Sequence, residues 1–248
     1  MERRILSDRD VWMLLAAGHV NLRGANLPSA VLDRAELSGA NLEHATLRGA
    51  RLGGARLRNA NLAGANLEDA DLKGADLVGA TLTEAYLKGA HLWGAYLEGA
   101  RMDWAFLEGA YLEWAYLQGV SLTGAYLKGA VLTGADLERA TLKGANLTGA
   151  YLRGADLSGT GLEQATMEWA DLADAKLRGA DLRGAHMTGA SLRGADLRGA
   201  NLAGAVLKGA DLSGALLEGA EMGGADLERA EVDAADGAAR RPEDARHA

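Results

Sequence analysis

From Val20 to about Ala230 the apolar residues of this chain fall into two columns that recur with a period of five. Counting every fifth position from 22 to 232 gives 43 sites, of which 38 are Leu, four are Met (102, 167, 187 and 222) and one is Val232. The position two before is Ala in 40 of the 43, the exceptions being Val20, Val120 and Thr160, and the position two after is Gly in 29. The residues on either side of each Leu are polar or variable. So regular a repeat is read before any short motif.

A helix does not fit it. Five residues advance an α-helix by about 500°, which scatters the Leu column around the whole circumference. A long flat strand fails as well, because an odd period sends successive Leu residues to opposite faces. A short extended piece followed by a corner does fit. Ala and Leu, two apart, then point inward together while the residue between them points out. Leu-x-Gly-Ala reads as a type II β-turn with Gly at its third position, where φ must be positive and a Cβ is unwelcome. Four right-angled corners close a square coil of about 20 residues. Coils stacked about 4.8 Å apart build a β-solenoid of nearly eleven turns, about 50 Å long. Bulky residues replace Gly at Trp104, Trp114 and Trp169, and steric reasoning on single residues predicts turns of negative φ there.

This pattern resembles that of the pentapeptide-repeat proteins, whose consensus is a central Leu or Phe with Ala two positions before it and Asp or Asn between. Ala25-Asn26-Leu27, Ala75-Asp76-Leu77, Ala155-Asp156-Leu157 and Ala195-Asp196-Leu197 carry the resemblance. It implies an all-β fold, a right-handed quadrilateral β-helix. The expected organisation is a capping helix over 1–19, the solenoid over 20–234 and a disordered, charged tail over 235–248. Ser7 as N-cap, Asp10 three later and Gly18 after an apolar run frame the helix, which would cover the open edge of the first coil. Arg3 and Arg4 before that run could also begin a signal peptide, but Asp8 and Asp10 interrupt its apolar core. The C-terminal end has no evident cap, so its coil should fray or meet the same edge of a second rod, giving an end-to-end homodimer.

Composition narrows the function. The net charge is −8, which disfavours direct, non-specific nucleic-acid binding. The chain has no Cys, as suits a reducing cytoplasm, and no apolar run long enough to span a membrane. His19, His44, His91, His186 and His247 stand at no metal-ligand spacing. Paired carboxylates come with no cleft specified around them, and Arg51-Leu-Gly-Gly-Ala lacks the ending of a phosphate loop, so neither a catalytic residue nor a cofactor is expected and the chain reads as a non-enzyme. Asp and Asn before Leu should bond nearby backbone and support the turn.

Two functional readings remain. The first is a protein-interaction scaffold. Tyr86, Trp93, Tyr96, Trp104, Phe106, Tyr111, Trp114, Tyr116 and Tyr126 lie off both apolar columns, within about two coils of one another, so the square coil places them outside. Tyr86, Phe106 and Tyr126 should stack in one column and Tyr96 and Tyr116 in another, and Tyr and Trp are the residues enriched in binding hot spots. The second follows from the resemblance: family members that protect DNA gyrase and topoisomerase IV from inhibitors imitate DNA with acidic rods. Asp136, Asp156 and Asp196 would form such a surface, in one column around Lys176. Their side nevertheless carries eight acidic and five basic residues. A duplex 50 Å long carries about 30 negative charges. The chain also lacks the Phe-rich core and apolar C-terminal helix of those gyrase-protecting dimers. The scaffold is preferred.

Overall fold

The computed structural model describes residues 7–18 and 20–233. Arg3, Arg4, His19, His247 and the expected tail over 235–248 lie outside the described residues. Every fifth residue from Asn21 to Asp211 is bridged in parallel to the residue twenty further on, so one coil is four pentapeptides and the register never slips. Four columns result. They run through Asn21, Asn26, Val31 and Glu36 and mark the first to fourth sides of the rod.

The pentapeptide consensus follows from where its five backbone N–H groups go. Around Leu72, the Leu N–H donates to His91 O in the next coil at 2.7 Å and the Gly74 N–H to Trp93 O at 3.0 Å. The Ala75 N–H closes the corner on Leu72 O at 3.0 Å, and the Asp76 N–H reaches back to Ala55 O at 2.9 Å. That leaves the residue after Leu. Its N–H is met by the side chain of the residue before Leu: Lys73 N donates to Asp71 Oδ1 at 3.2 Å, and Ala63 N to Asn61 Oδ1 at 3.1 Å. The same bond recurs from Asn41 to Asp226 wherever Asn or Asp precedes Leu and is drawn in. Asn and Asp therefore serve the turn, as their short acceptors allow.

Inside, the Leu and Met column is buried from Leu22 to Leu217 and the Ala column fills the space between coils. Each Leu withdrawn from water contributes about 1.5–3 kcal/mol. Thr160, in an Ala position, is fully buried and donates its hydroxyl to Leu137 O at 3.0 Å. The column is not buried to its end: Met222, Leu227 and Val232 are only partly covered, because no later coil among the described residues lies over them. There the Asp233 side chain takes the place its own carbonyl would hold in the ladder, accepting the Gly214 N–H at 2.7 Å.

The opposite end is closed by helix α1 (Asp8–Ala16). Ser7 and Asp10 form a capping box at its start, and Gly18 follows its end at φ 75°. Val11 is buried in the core, with Leu14 and Leu15 packed against it. The Trp12 indole N–H donates to Val31 O at 3.0 Å, a carbonyl on the edge of the first coil that no earlier coil can meet.

The corners correct one expectation. Trp104, Trp114 and Trp169 do not turn with negative φ; they sit at 59°, 58° and 59°, like every Gly corner. Ten further non-Gly corners, Ser29 and Arg229 among them, do the same. The reason is the register. A corner that abandoned positive φ would misdirect the two ladder bonds on each side of it, and that loss outweighs about 1–2 kcal/mol of left-handed strain. The ring finds room because the side chain leans over the next coil. A Cβ built on Gly124 would stand 2.4 Å from Trp104 Cζ3, one on Gly134 2.5 Å from Trp114 Cζ3, and one on Gly189 2.3 Å from Trp169 Cζ3. Each of the three tryptophan corners is followed, one coil on, by a Gly whose bare face receives the ring.

Candidate functional site

Over residues 86–126 the column before Leu changes character. Tyr, Phe and His replace Asn and Asp, exchanging the backbone acceptor for a ring that stacks on its neighbour in the next coil. On the second side Tyr86 stacks on Phe106 at 4.9 Å and Phe106 on Tyr126 at 5.0 Å, with ring planes 7° and 2° apart. On the fourth side Tyr96 stacks on Tyr116 at 5.0 Å. On the third side His91 stacks on Tyr111 at 4.7 Å. The first two ladders follow from the twenty-residue register. Sequence reasoning misses the His91–Tyr111 ladder, because it tests His91 only against metal-ligand spacing; the register that pairs 86 with 106 also pairs 91 with 111. Stacks of this kind contribute about 0.5–1.5 kcal/mol per pair.

The tryptophans belong to none of these ladders. Trp93, on the third side, is 54% exposed; Trp104, at the corner of the first and second sides, 53%; and Trp114, between the third and fourth, 60%. Tyr86, Tyr96, Tyr111, Tyr116 and Tyr126 are also exposed, and Phe106 is half-buried. The structure thus brings all nine aromatics into one belt around three sides of the rod. Trp169 and Tyr151, also exposed, lie beyond it.

Charge is arranged differently inside the belt and outside it. Toward the N-terminus ion pairs link neighbouring coils, as Arg58 does with Asp76 at 3.0 Å and Arg51 with Asp33 at 2.6 Å. Toward the C-terminus Arg193 meets Asp211 at 3.2 Å and Lys208 meets Asp226 at 3.2 Å. Among the described residues no ion pair involves any position between Asp76 and Glu138. There Asp103 takes hydrogen bonds from the Ser121 hydroxyl and the Thr123 N–H, and Asp136 takes one from the Gln118 amide.

The acidic column is compensated. Asp136, Asp156, Lys176 and Asp196 follow one another on the fourth side. Lys176 Nζ lies 3.1 Å from Asp156, and Arg198 forms a two-point pair with Asp196, 2.6 Å at its closer contact. The Arg198 guanidinium beside it, and then the Arg198 N–H, hold the Asp196 carboxyl below the usual carboxylate range against the opposing effect of burial. For Asp156, burial pushes upward, but the Ser158 hydroxyl and N–H and Lys176 together outweigh it. These carboxylates are bound into the rod's own surface. No cluster of potential metal ligands occurs among the described residues, and no helix of theirs is long and apolar enough to cross a membrane.

Comparison with known proteins agrees with this geometry. A family model described as pentapeptide repeats matches in eight copies, in overlapping segments from residue 18 to residue 231. The structure of HetL, a pentapeptide-repeat protein involved in heterocyst differentiation regulation from the cyanobacterium Nostoc sp. strain PCC 7120, is similar with 36% identity and a TM-score of 0.63. That match covers 91% of this chain and 96% of HetL. A trypsin-treated form of QnrB1, a plasmid-mediated fluoroquinolone resistance protein, shares the fold at 21% identity and a TM-score of 0.52, over 73% of this chain and 83% of its own. No curated protein matches the chain. In a repeat of this kind the Ala, Leu and Gly columns alone generate much of the identity, and they are core and corner. The outward residues, where binding would occur, are the ones that such a percentage weighs least.

Proposed function

The chain belongs to the pentapeptide-repeat family, and from that premise we propose that it is a non-catalytic rod, working in the cytoplasm, that binds a protein partner through its mid-rod aromatic belt. One observation carries this reading. The stacked ladders take up Tyr, Phe and His rings, yet three tryptophans within two coils stand outside them and remain more than half exposed. Ladder stability does not require them, and Trp and Tyr are the side chains on which interfaces are most often anchored. Leu and Ala fill the axis of the rod, and the depression among Asp33, Arg34, Arg51, Gly53 and Gly54 lies open on its surface, not enclosed within it.

The alternative, a rod that imitates DNA and shields a topoisomerase, would draw on Asp136, Asp156 and Asp196. Their pairing to Gln118, Lys176 and Arg198 weighs against it. Both readings are separated by partner capture with cross-linking from lysate of the source cells, followed by direct binding with the purified partner. One variant replaces Tyr96, Trp104 and Tyr116 by Ala. The other carries Asp156→Asn and Asp196→Asn, which remove charge but keep the acceptors for Ser158 and Arg198. The belt reading expects the partner to be lost from the first and kept by the second, since a truncated Tyr or Trp anchor costs about 2 kcal/mol or more. Protection of gyrase from an inhibitor that survives aromatic truncation and vanishes in the Asn variant would refute it.

A further inference from the structure

We infer that the fourth side of the belt, with the corner it shares with the third, receives a positively charged segment of its partner, arginine in preference to lysine. The inference rests on the belt being an interaction surface. On these two sides the coil segments 91–100 and 111–120 contain no Lys or Arg. They do contain Glu98 and Glu113, neither of them in an ion pair. Among the described residues, the buried side-chain oxygens without a hydrogen-bond partner are Glu98 Oε2 and Gln118 Oε1 on the fourth side and Glu113 Oε2 on the third, at its corner with the fourth. A carboxylate oxygen shielded from water and left without a donor is costly, by about 1–3 kcal/mol.

The rest of the rod shows what is missing. Elsewhere a residue after Leu pairs with the residue eighteen further on, across the gap between coils: Arg58 with Asp76, Arg153 with Asp171, Arg193 with Asp211. At Glu98 that register position is occupied by Tyr116, a ring in place of a cation. The carboxylate is present and its counter-charge is not. Trp93 and Trp114 are exposed with Glu113 at the corner between the third and fourth sides, and on the fourth side Tyr96 is stacked on Tyr116. Aromatic faces beside unpaired carboxylates suit a guanidinium, which stacks on the ring and gives its planar fork to the carboxylate. The first and second sides, which meet at Trp104, lack this bias, since they carry Lys88, Arg101 and Lys128 with Glu84, Asp103 and Glu108.

The test uses the full chain and short Gly/Ser peptides carrying arginine, lysine, glutamate or no charge. Binding is followed through the tryptophan indole N–H resonances up to millimolar peptide. Arginine peptide should move Trp93 and Trp114, lysine peptide less, and the others not at all. Glu98→Gln with Glu113→Gln should weaken the arginine peptide about tenfold, and so should Trp93→Ala with Trp114→Gly. The control, Glu168→Gln with Glu218→Gln, removes the same charge elsewhere and should leave binding within about twofold. Equal weakening by patch and control variants would overturn the inference, since general negative charge would then be the cause; so would no response to arginine peptide. A cross-linked partner that needs Trp93 and Trp114 but is indifferent to Glu98 and Glu113 would overturn the charge assignment and leave the belt standing. Insensitivity to every belt substitution would remove both.

Discussion

The contact of Trp104 with Gly124 can be weighed one term at a time. Gly124 and Gly144 occupy the same corner column one coil apart, at φ 64° and 65°. A Cβ on Gly144 meets nothing within 4 Å, whereas one on Gly124 meets three atoms of the Trp104 ring between 2.4 and 2.7 Å. Gly144→Ala should therefore cost only the left-handed strain, about 1–2 kcal/mol. Gly124→Ala bears the same strain and must also displace the ring, an overpacking penalty of about 1–3 kcal/mol more. In a Trp104→Gly background the ring is gone, and Gly124→Ala should fall to the cost of Gly144→Ala. Urea unfolding of the four chains of this cycle gives a coupling of at least about 1 kcal/mol between positions 104 and 124. The reasoning fails if Gly124→Ala costs no more than Gly144→Ala, or if its excess persists once Trp104 is removed.

Acid should loosen the C-terminal third before the N-terminal third. Asp181 is held below its ordinary pKa chiefly by the Arg183 guanidinium, Asp211 by the Ser213 hydroxyl and N–H, and Asp226 by the Glu228 N–H. A lowered folded pKa means that this stabilisation is complete above the unfolded value of about 3.9 and is lost as pH falls through it toward the folded value. Asn41, Asn61 and Asn66 make the same turn bond without titrating, so hydrogen exchange at low pH should rise around 181–226 first; uniform acceleration would contradict this. At the helix, Val11→Asp should strip protection from the first coil while amides beyond Asn61 stay unchanged. Ser7→Ala should cost about 1 kcal/mol of helix stability, seen as loss of ellipticity on mild heating.

The fold was legible because one short rule, Ala and Leu in and Gly at the corner, repeats until no other geometry satisfies it. The ladders at Tyr86–Phe106–Tyr126 and Tyr96–Tyr116 were legible for the same reason, once twenty residues were known to make a coil. The conformation at Trp104, Trp114 and Trp169 was misread because a single residue's preference was weighed without the hydrogen-bond ladder that overrides it. The signal was nevertheless present. Gly124, Gly134 and Gly189 each stand twenty residues after a tryptophan, and a period of twenty would have paired them. The oxygens of Glu98, Glu113 and Gln118 that lack partners were not legible, since whether a side chain finds a donor depends on rotamers that the repeat does not specify.

The square section also restricts how such a chain can change length. Inserting one pentapeptide leaves every Leu inside and every corner intact, yet turns all that follows by a quarter revolution. Placed between Ala100 and Arg101, it would carry Tyr116 from beside Tyr96 to the adjacent side and part Tyr86 from Phe106 and His91 from Tyr111 as well, leaving Phe106 on Tyr126, without exposing a core residue. A whole coil of twenty would instead move the downstream surface along the axis and leave its bearing unchanged. Surface features on this rod are thus addressed by two coordinates, height and quarter-turn, and only multiples of twenty residues alter one without the other.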